Sequence, residues 1–530
     1  MWRASQVCRI CGITIVFSGA SLAGDPPAVE RLIPPGGQRG MTVNVQLVGK
    51  PGEGDLRIVS DDDSIVLTPN EKKDAASVTI SENARLGVHW LRFCNPDGAT
   101  ELKPFIVGMI PEMTETEPNA KIAEANSVEL PSVTINGVLE KSGEVETFAV
   151  TLSKGQTIVC ALQANFIIGS PLDAVLQIVD SHGAVLAQND DDLSFDPRVT
   201  FTAPDDGKWF VRTFAFSAVP NSTIGFAGGA DFVYRLTLTT AAVVEHTEPA
   251  MRFAKDNDTS LAVFGWNIET PATSLNRDQQ ALTQPYALPY FVPRCDIPSI
   301  VESQLPADRM LTLPVAVTGR VTTTDDVVFL LNASISQKLS LSVHAQRIGS
   351  MLDPVLIVED SQGMVIHEHD DLSGDNRDAE LHLTIPADGQ YRVIIRDRFQ
   401  NMGDRCFYLL HCEETHAMYA ATLAATTGTL NPDKPLEIPI TFERKHGFAE
   451  PVDIRVEGLP AGVTFECLRS EKDGETAKSV ILKISGTAAA AFQGPIRIVA
   501  ESAESKHMQP VTFLTPDKTQ IAEYWLTVPK

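Results

Sequence analysis

Two short acidic stretches hold this chain's densest chemistry. Residues 189–196 read NDDDLSFD and residues 369–375 read HDDLSGD. Asp173 and Asp353 open apolar runs expected to neighbour these turns. Calcium takes about six to eight hard oxygen ligands on a flexible loop, and clustered carboxylates with backbone carbonyls supply them. The expected ligands are Asp173, Asp190, Asp191, Asp192 and Asp196 in the first stretch, and Asp353, Asp370, Asp371 and Asp375 in the second. The competing reading is that Asp and Asn act as turn formers, capping their own backbone in solvent. The spacing is not that of an EF-hand loop. His369 is read in the place of Asp190, so the second stretch is expected to bind Ca2+ more weakly, a neutral imidazole being a poor ligand for a hard cation.

Other reactive side chains are less well placed. His367 and His369 would share one strand face, but no further zinc ligands are signalled. His411 and Cys412 are adjacent, so on a strand they point to opposite faces. The sequence has no GxSxG elbow, HExxH, P-loop or GxGxxG turn. The expectation is a non-catalytic chain.

The elements around the acidic stretches occur twice. Leu172-Asp173 answers Leu352-Asp353, and Asp180-Ser181-x-Gly183 answers Asp360-Ser361-x-Gly363. Asp191-Asp192-Leu193-Ser194 answers Asp370-Asp371-Leu372-Ser373, and Asp196 and Arg198 are matched to Asp375 and Arg377. Pro204, Asp206-Gly207 and Trp209 answer Pro386, Asp388-Gly389 and Tyr391. A nearly fixed offset over so many positions predicts a duplicated unit. VLQIV and VLIVE are short β-branched runs, DSHG and DSQG are turns, and an Asp-Gly pair precedes each aromatic strand. The fold class predicted is all-β, a multi-domain chain of β-sandwiches.

The order Glu117-Pro118-Asn119, Gly137-Val138-Leu139, Gly143-Glu144-x-x-x-Phe148, Lys154-Gly155-Gln156, Leu172-Asp173, the NDDD turn and Asp-Gly-x-Trp resembles the bacterial pre-peptidase C-terminal (PPC) domain. The resemblance covers about 117–240 well and about 302–412 less well. It implies PPC or jelly-roll-like sandwiches, attached in that family to secreted proteases and other exported proteins, with calcium or extracellular polymers bound by some members. The second copy departs from the pattern: Glu302-Ser303 stands for the EPN motif, and Asp325-Asp326-x-x-Phe329 for the Gly-Glu turn.

Alternating strands and turn residues divide the rest of the chain. The expected units are a signal peptide at 1–23, an Ig-like sandwich at 24–112, PPC-like sandwiches at 113–242 and 301–413, a connector or reduced Ig-like module at 243–300, and an Ig-like sandwich at 414–530. Arg3 and Arg9 with the apolar run 10–20 and Ser21-Leu22-Ala23 carry the export reading. That apolar run is too short to span a bilayer. The six later cysteines are scattered and form no disulfide framework.

Composition narrows the function. There are 43 basic and 68 acidic residues, a formal charge of -25. So acidic a chain is a poor partner for nucleic acid or anionic lipid. The expectation is an exported binding or adhesion protein, secreted, periplasmic or on the cell surface, with an extracellular protein or polysaccharide as partner. The alternative is a protease-associated secreted protein, either an accessory module protein or a cryptic peptidase.

Overall fold

The computed structural model describes residues 25–192, 194–219, 225–283, 285–374 and 376–529. The expected signal peptide at 1–23 and the candidate ligand Asp375 lie outside the described residues. The chain is a multi-domain array of β-sandwiches, and the described residues include no α-helix. Strands with one solvated face, such as Leu436–Lys445, alternate buried and exposed residues, whereas central strands such as Val233–Thr239 are buried along their whole length.

The sandwich that holds the first acidic stretch has ten strands. They are β1 (Glu112–Thr114), β2 (Asn126–Ser127), β3 (Ser132–Val138), β4 (Glu146–Leu152), β5 (Thr157–Gln163), β6 (Leu172–Val179), β7 (Val185–Asn189), β8 (Arg198–Thr202), β9 (Gly207–Ser217) and β10 (Val233–Thr239). One sheet runs β1-β3-β10-β5-β8 and the other β2-β4-β9-β6-β7. Phe148, Val150, Leu176, Val211, Tyr234 and Leu236 are among the side chains buried between them.

A second set of ten strands repeats this topology. They are β11 (Ser299–Val301), β12 (Met310–Leu311), β13 (Val315–Arg320), β14 (Val327–Ala333), β15 (Lys338–His344), β16 (Pro354–Glu359), β17 (Val365–His369), β18 (Ala379–Thr384), β19 (Gly389–Asp397) and β20 (Phe407–Glu414). The sheets run β11-β13-β20-β15-β18 and β12-β14-β19-β16-β17, the same orders strand for strand.

The ladders and caps correct the pairings read from sequence through the acidic turns, those of Asp191, Asp192 and Arg198 included. Asn189 lies opposite Leu176 and His369 opposite Leu356, so His369 answers Asn189 and not Asp190. Each caps the same place: Asn189 Oδ1 accepts the Arg198 N–H at 3.0 Å, and His369 Nδ1 lies 3.3 Å from the Glu380 N–H. Asp196 is matched by Asp378 and not by Asp375. Asp196 accepts the N–H groups of Ala164 and Asn165, as Asp378 does those of Ala345 and Gln346. The second turn is two residues longer, so the sequence match is out by one residue on entering it and by three on leaving it.

The flanking modules form a second matched pair. In the first, Ala28–Ile33, Thr42–Lys50, Ala75–Ile80 and Ile65–Pro69 make one sheet. In the last, Met418–Leu423, Leu436–Lys445, Ser479–Gly486 and Val463–Cys467 make a sheet of the same order. The opposing sheets match in the same way, Gly36–Gln38, Lys103–Gly108, Gly87–Asn95 and Arg57–Ser60 against Thr427–Thr429, Glu523–Val528, Phe492–Ser502 and Val452–Glu457. The two modules also touch. Arg92 Nη2 donates to Thr426 Oγ1 at 3.0 Å, and Gln493 Nε2 to the Asn95 carbonyl at 2.6 Å.

Between the sandwiches, Val243–Glu248, Asp258–Trp266 and Ala272–Asn276 form a three-stranded sheet over a small core that includes Leu261, Val263 and Tyr286. This connector fastens the two sandwiches. Arg405 Nε meets Glu245 at 2.6 Å, and Asp192 bridges Arg198 at 2.8 Å and Arg405 at 3.5 Å. Both guanidinium groups lie over Trp266, at 4.8 and 5.5 Å from the ring centre.

Candidate functional site

The carboxylates that converge are not those of the acidic turns. Glu115, Glu117 and Glu146 bring ligand oxygens within 4.8 Å of one another, the one such group among the described residues. Local structure explains the approach. Glu115 and Glu117 lie in the segment between β1 and β2, which Asn126 pins by a 2.7 Å bond from the Thr116 N–H and a 2.8 Å bond to the Thr116 carbonyl. Glu146 opens β4 in phase with Phe148, Val150 and Leu152, so the core-facing alternation of the strand turns it inward. Its residue is fully buried.

This centre lacks balancing groups. By bond geometry neither Glu146 carboxylate oxygen, neither polar atom of the Asn119 amide, nor Oγ1 of Thr213, which lies opposite Glu146 in the β4–β9 ladder, completes a hydrogen bond, although the Asn119 and Glu117 side chains lie close enough to act on the Glu146 carboxyl. Both Asn119 and Thr213 are fully buried. Buried polar groups without partners cost stability and call for an explanation such as an ion. Glu115 is better served: Oε1 accepts the Val138 N–H at 2.6 Å and Oε2 accepts the Tyr234 hydroxyl. Gly137 permits this approach, because a Cβ there would strike both the Tyr234 hydroxyl and the Glu115 carboxyl carbon.

Electrostatics sharpen the picture. Burial, and then the charges of Glu115 and Glu117, push the Glu146 carboxyl up to about 10. Burial pushes Glu115 up to about 7, against the bonds from Tyr234 and Val138 that favour its charge. With no cation the centre must hold protons. With one, the three carboxylates would supply hard oxygen ligands of the kind that Ca2+ takes.

The second sandwich meets the same problem differently. Glu302 follows β11 as Glu115 follows β1, and its Oε2 accepts the Tyr408 hydroxyl. Gly319 leaves room there, as Gly137 does in the first copy. Val327, opposite Ile395, stands where Glu146 stands opposite Thr213. The charge is balanced internally: Arg309 Nη1 meets Glu302 Oε1 at 2.6 Å, and its guanidinium lies 4.6 Å from the centre of the Phe329 ring. One carboxylate with one guanidinium needs no metal.

The aspartates proposed as ligands are dispersed among other tasks. Asp196 is buried, and its carboxylate accepts the N–H groups of Ala164, Asn165 and Phe166 at 3.1, 2.7 and 3.3 Å. Burial pushes it up to about 6 against those three bonds. Asp192 is committed to Arg198 and Arg405. Asp173, Asp190 and Asp191 lie near one another: burial raises Asp173, and the charges of Asp191 and then Asp190 raise it further. In the second copy Asp370 pairs with Arg398. Asp371 is exposed, and Asp353 is buried and lifted by burial and then by Asp371. No three of the eight described aspartates gather within metal-ligand reach.

Sequence reasoning passed over Glu115 and Glu146 because they are 31 positions apart and lie in no acidic run. A signal was present. Glu146 occupies an inward position of an apolar alternation, which is costly unless the charge is compensated.

Comparison with known proteins places the similarity on this sandwich. The family model described as the bacterial pre-peptidase C-terminal domain matches residues 144–215. A probable subtilase-type serine protease of Deinococcus radiodurans is 28% identical over 166 residues, 31% of this chain and 22% of that protein. The chain thus spans less than a quarter of that relative. Two solved structures align at low identity. An M60 catalytic domain with its CBM51 domains from Clostridium perfringens ZmpB is 7% identical, over 76% of this chain and 56% of that one, with a TM-score of 0.16. The N-terminal eight Ig domains of Down Syndrome Cell Adhesion Molecule are 9% identical, over 96% and 72%, with a TM-score of 0.14. At these scores neither structure bears on function. The family model thus likens the stretch from β4 to β9 of the first sandwich to the bacterial pre-peptidase C-terminal domain.

Proposed function

We propose that this chain is an exported, non-catalytic binding protein of the envelope or extracellular space, built on two PPC-like sandwiches between Ig-like modules. In this reading the first sandwich binds Ca2+ through Glu115, Glu117, Asn119 and Glu146. The observation that carries the reading is the set of fully buried, unpartnered oxygens on Glu146 and Asn119 beside two further carboxylates. Glu115 and Glu117 belong to the linker from the first module, and Glu146 to the sandwich. A bound cation would fasten one to the other. The ion pairs at Glu245 and Asp192 would hold the remaining modules in register for a partner.

The test is retention of the purified full chain on native envelope material with millimolar Ca2+ and with EDTA. Calcium-dependent retention, lost in Glu146→Gln, supports the reading. Equal retention in both conditions overturns the part played by Ca2+, and no retention in either overturns the binding role.

Similarity to a probable subtilase-type protease favours a second reading, an accessory module of a secreted protease. Under it the chain would alter the activity of a co-secreted peptidase. The chain itself should leave casein intact.

A further inference from the structure

The outer face of β6 and β9 in the first sandwich is unlike its counterpart in the second. Phe214 and Phe216 project from β9 beside Phe226. Phe214 stacks on Phe226 with ring centres 4.4 Å apart, and Phe216 meets Phe226 edge-on at 5.6 Å. Phe216 and Phe226 are 39% and 38% exposed. Asp173 lies directly across from Phe216 in the β6–β9 ladder, which puts their Cβ atoms about 5 Å apart. The Asp190 and Asp191 charges both act on Asp173. Among the described residues, none of these three carboxylates has a hydrogen bond or an ion pair, whereas the neighbouring Asp192 has both Arg198 and Arg405. The patch therefore combines open aromatic faces with unneutralised negative charge.

The second sandwich shows what completes such a face. Val211 of β9 lies opposite Phe148, and Val393 of β19 lies opposite Phe329. Counting along the strands from there, Arg396 and Arg398 stand where Phe214 and Phe216 stand. Arg398 pairs with Asp370, the counterpart of Asp190, and Arg396 holds Asp326 through two bonds of 2.7 Å. In that copy a guanidinium of its own chain pairs with Asp370 of the acidic turn, and the neighbouring one with Asp326. The first copy keeps the acidic turn and offers phenyl rings in place of the arginines.

We propose that this face binds an arginine side chain of a protein partner, in the place that Arg398 fills in the second sandwich. The planar guanidinium would lie against the Phe216 and Phe226 rings and direct its N–H groups to Asp190 and Asp173. Arginine fits better than lysine, because its flat, weakly hydrated cation stacks on aromatic faces while its N–H fork engages carboxylates. The formal charge of -25 would speed the approach of such a partner. This site is separate from the Glu115 centre and does not depend on it.

The experiment titrates the full chain with a capped hexa-arginine peptide at low ionic strength. Its neutral control is the hexa-citrulline peptide, which has nearly the same shape. The structure predicts saturable binding of the first peptide and none of the second. Phe216→Arg, which copies the second sandwich, should weaken binding at least about tenfold, and so should the pair Asp173→Asn with Asp190→Asn. Glu71→Gln with Glu475→Gln removes the same charge from exposed positions elsewhere and should leave the affinity within about twofold. These positions are on the surface, and an unchanged melting curve for each variant confirms that the fold is intact. Three outcomes would overturn the proposal: equal binding of the citrulline peptide, full affinity in Phe216→Arg, or equal weakening by the remote charge control. Displacement of the peptide by millimolar Ca2+ in the Glu146→Gln chain would also overturn it, by returning this turn to the role of a metal site.

Discussion

The buried glutamates set a pH dependence whose direction follows from the structure. In the folded chain without metal, Glu115 is held near about 7 and Glu146 near about 10, each from an ordinary value of 4.5. Both shifts are upward, so the folded state binds more protons than the unfolded chain between those values. The stability these protonated groups preserve is complete below about pH 4.5 and is lost as pH rises. Each pH unit over which one proton is retained is worth about 1.4 kcal/mol. The interacting pair then accounts for on the order of 3–6 kcal/mol between pH 5 and 8. Calcium, in the proposed reading, would replace the protons. At a hundredfold excess over its Kd it would stabilise the folded state by about 2.7 kcal/mol. The assay is amide hydrogen exchange of the full chain, followed in peptides covering β4 and β9, with EDTA and with millimolar Ca2+. Protection should fall from pH 5 to pH 8 with EDTA, after correction for intrinsic exchange, and should hold or rise with Ca2+. In Glu146→Gln the share of the fall that Glu146 contributes should vanish, the share set by burial of Glu115 should remain, and Ca2+ should have no effect. A fall undiminished in Glu146→Gln, or identical slopes with and without Ca2+ in the parent chain, would refute the reasoning.

Other perturbations probe the supporting parts. Gly137→Ala should cost about 2–4 kcal/mol and abolish Ca2+ binding, since the new methyl must displace the Tyr234 hydroxyl and Glu115; chemical denaturation and calcium titration check both effects. Gly319→Ala should cost a similar amount in the second sandwich without altering calcium affinity. Asp196→Ala strands the N–H groups of Ala164, Asn165 and Phe166 and should cost about 2–3 kcal/mol by urea unfolding. Arg405→Ala leaves Glu245 and Asp192 with only Arg198 and should loosen the two sandwiches, seen as a larger radius of gyration in solution scattering.

Much of the fold was legible because sandwiches write themselves in local code. A short β-branched run marked the strand from Leu172 to Val179 and an Asp-Gly pair the aromatic strand from Gly207 to Ser217, and their recurrence marked the duplication. Register inside the acidic turns was not legible. Runs of identical aspartates offer no unique alignment, so Asp196 was matched to Asp375 although Asp378 performs its task. The shared topology of the flanking modules was hidden for another reason: strand order is a property of long-range pairing, and their turns carry no common motif. The candidate site divides along the same line. Carboxylates in a row attract attention, yet on a turn they point into solvent, cap backbone or find arginines. Glu115 and Glu146 come together only because β3, β4 and β10 stack the linker over the inward end of β4.

Calcium titration calorimetry on the full chain at pH 7.5, with the heat measured in two buffers of different ionisation enthalpy, tests the central claim most directly. The account predicts saturable binding with release of protons, abolished in Glu146→Gln and unchanged in Asp191→Asn. Binding that survives Glu146→Gln but disappears in Asp191→Asn would contradict it, as would saturation with no proton release.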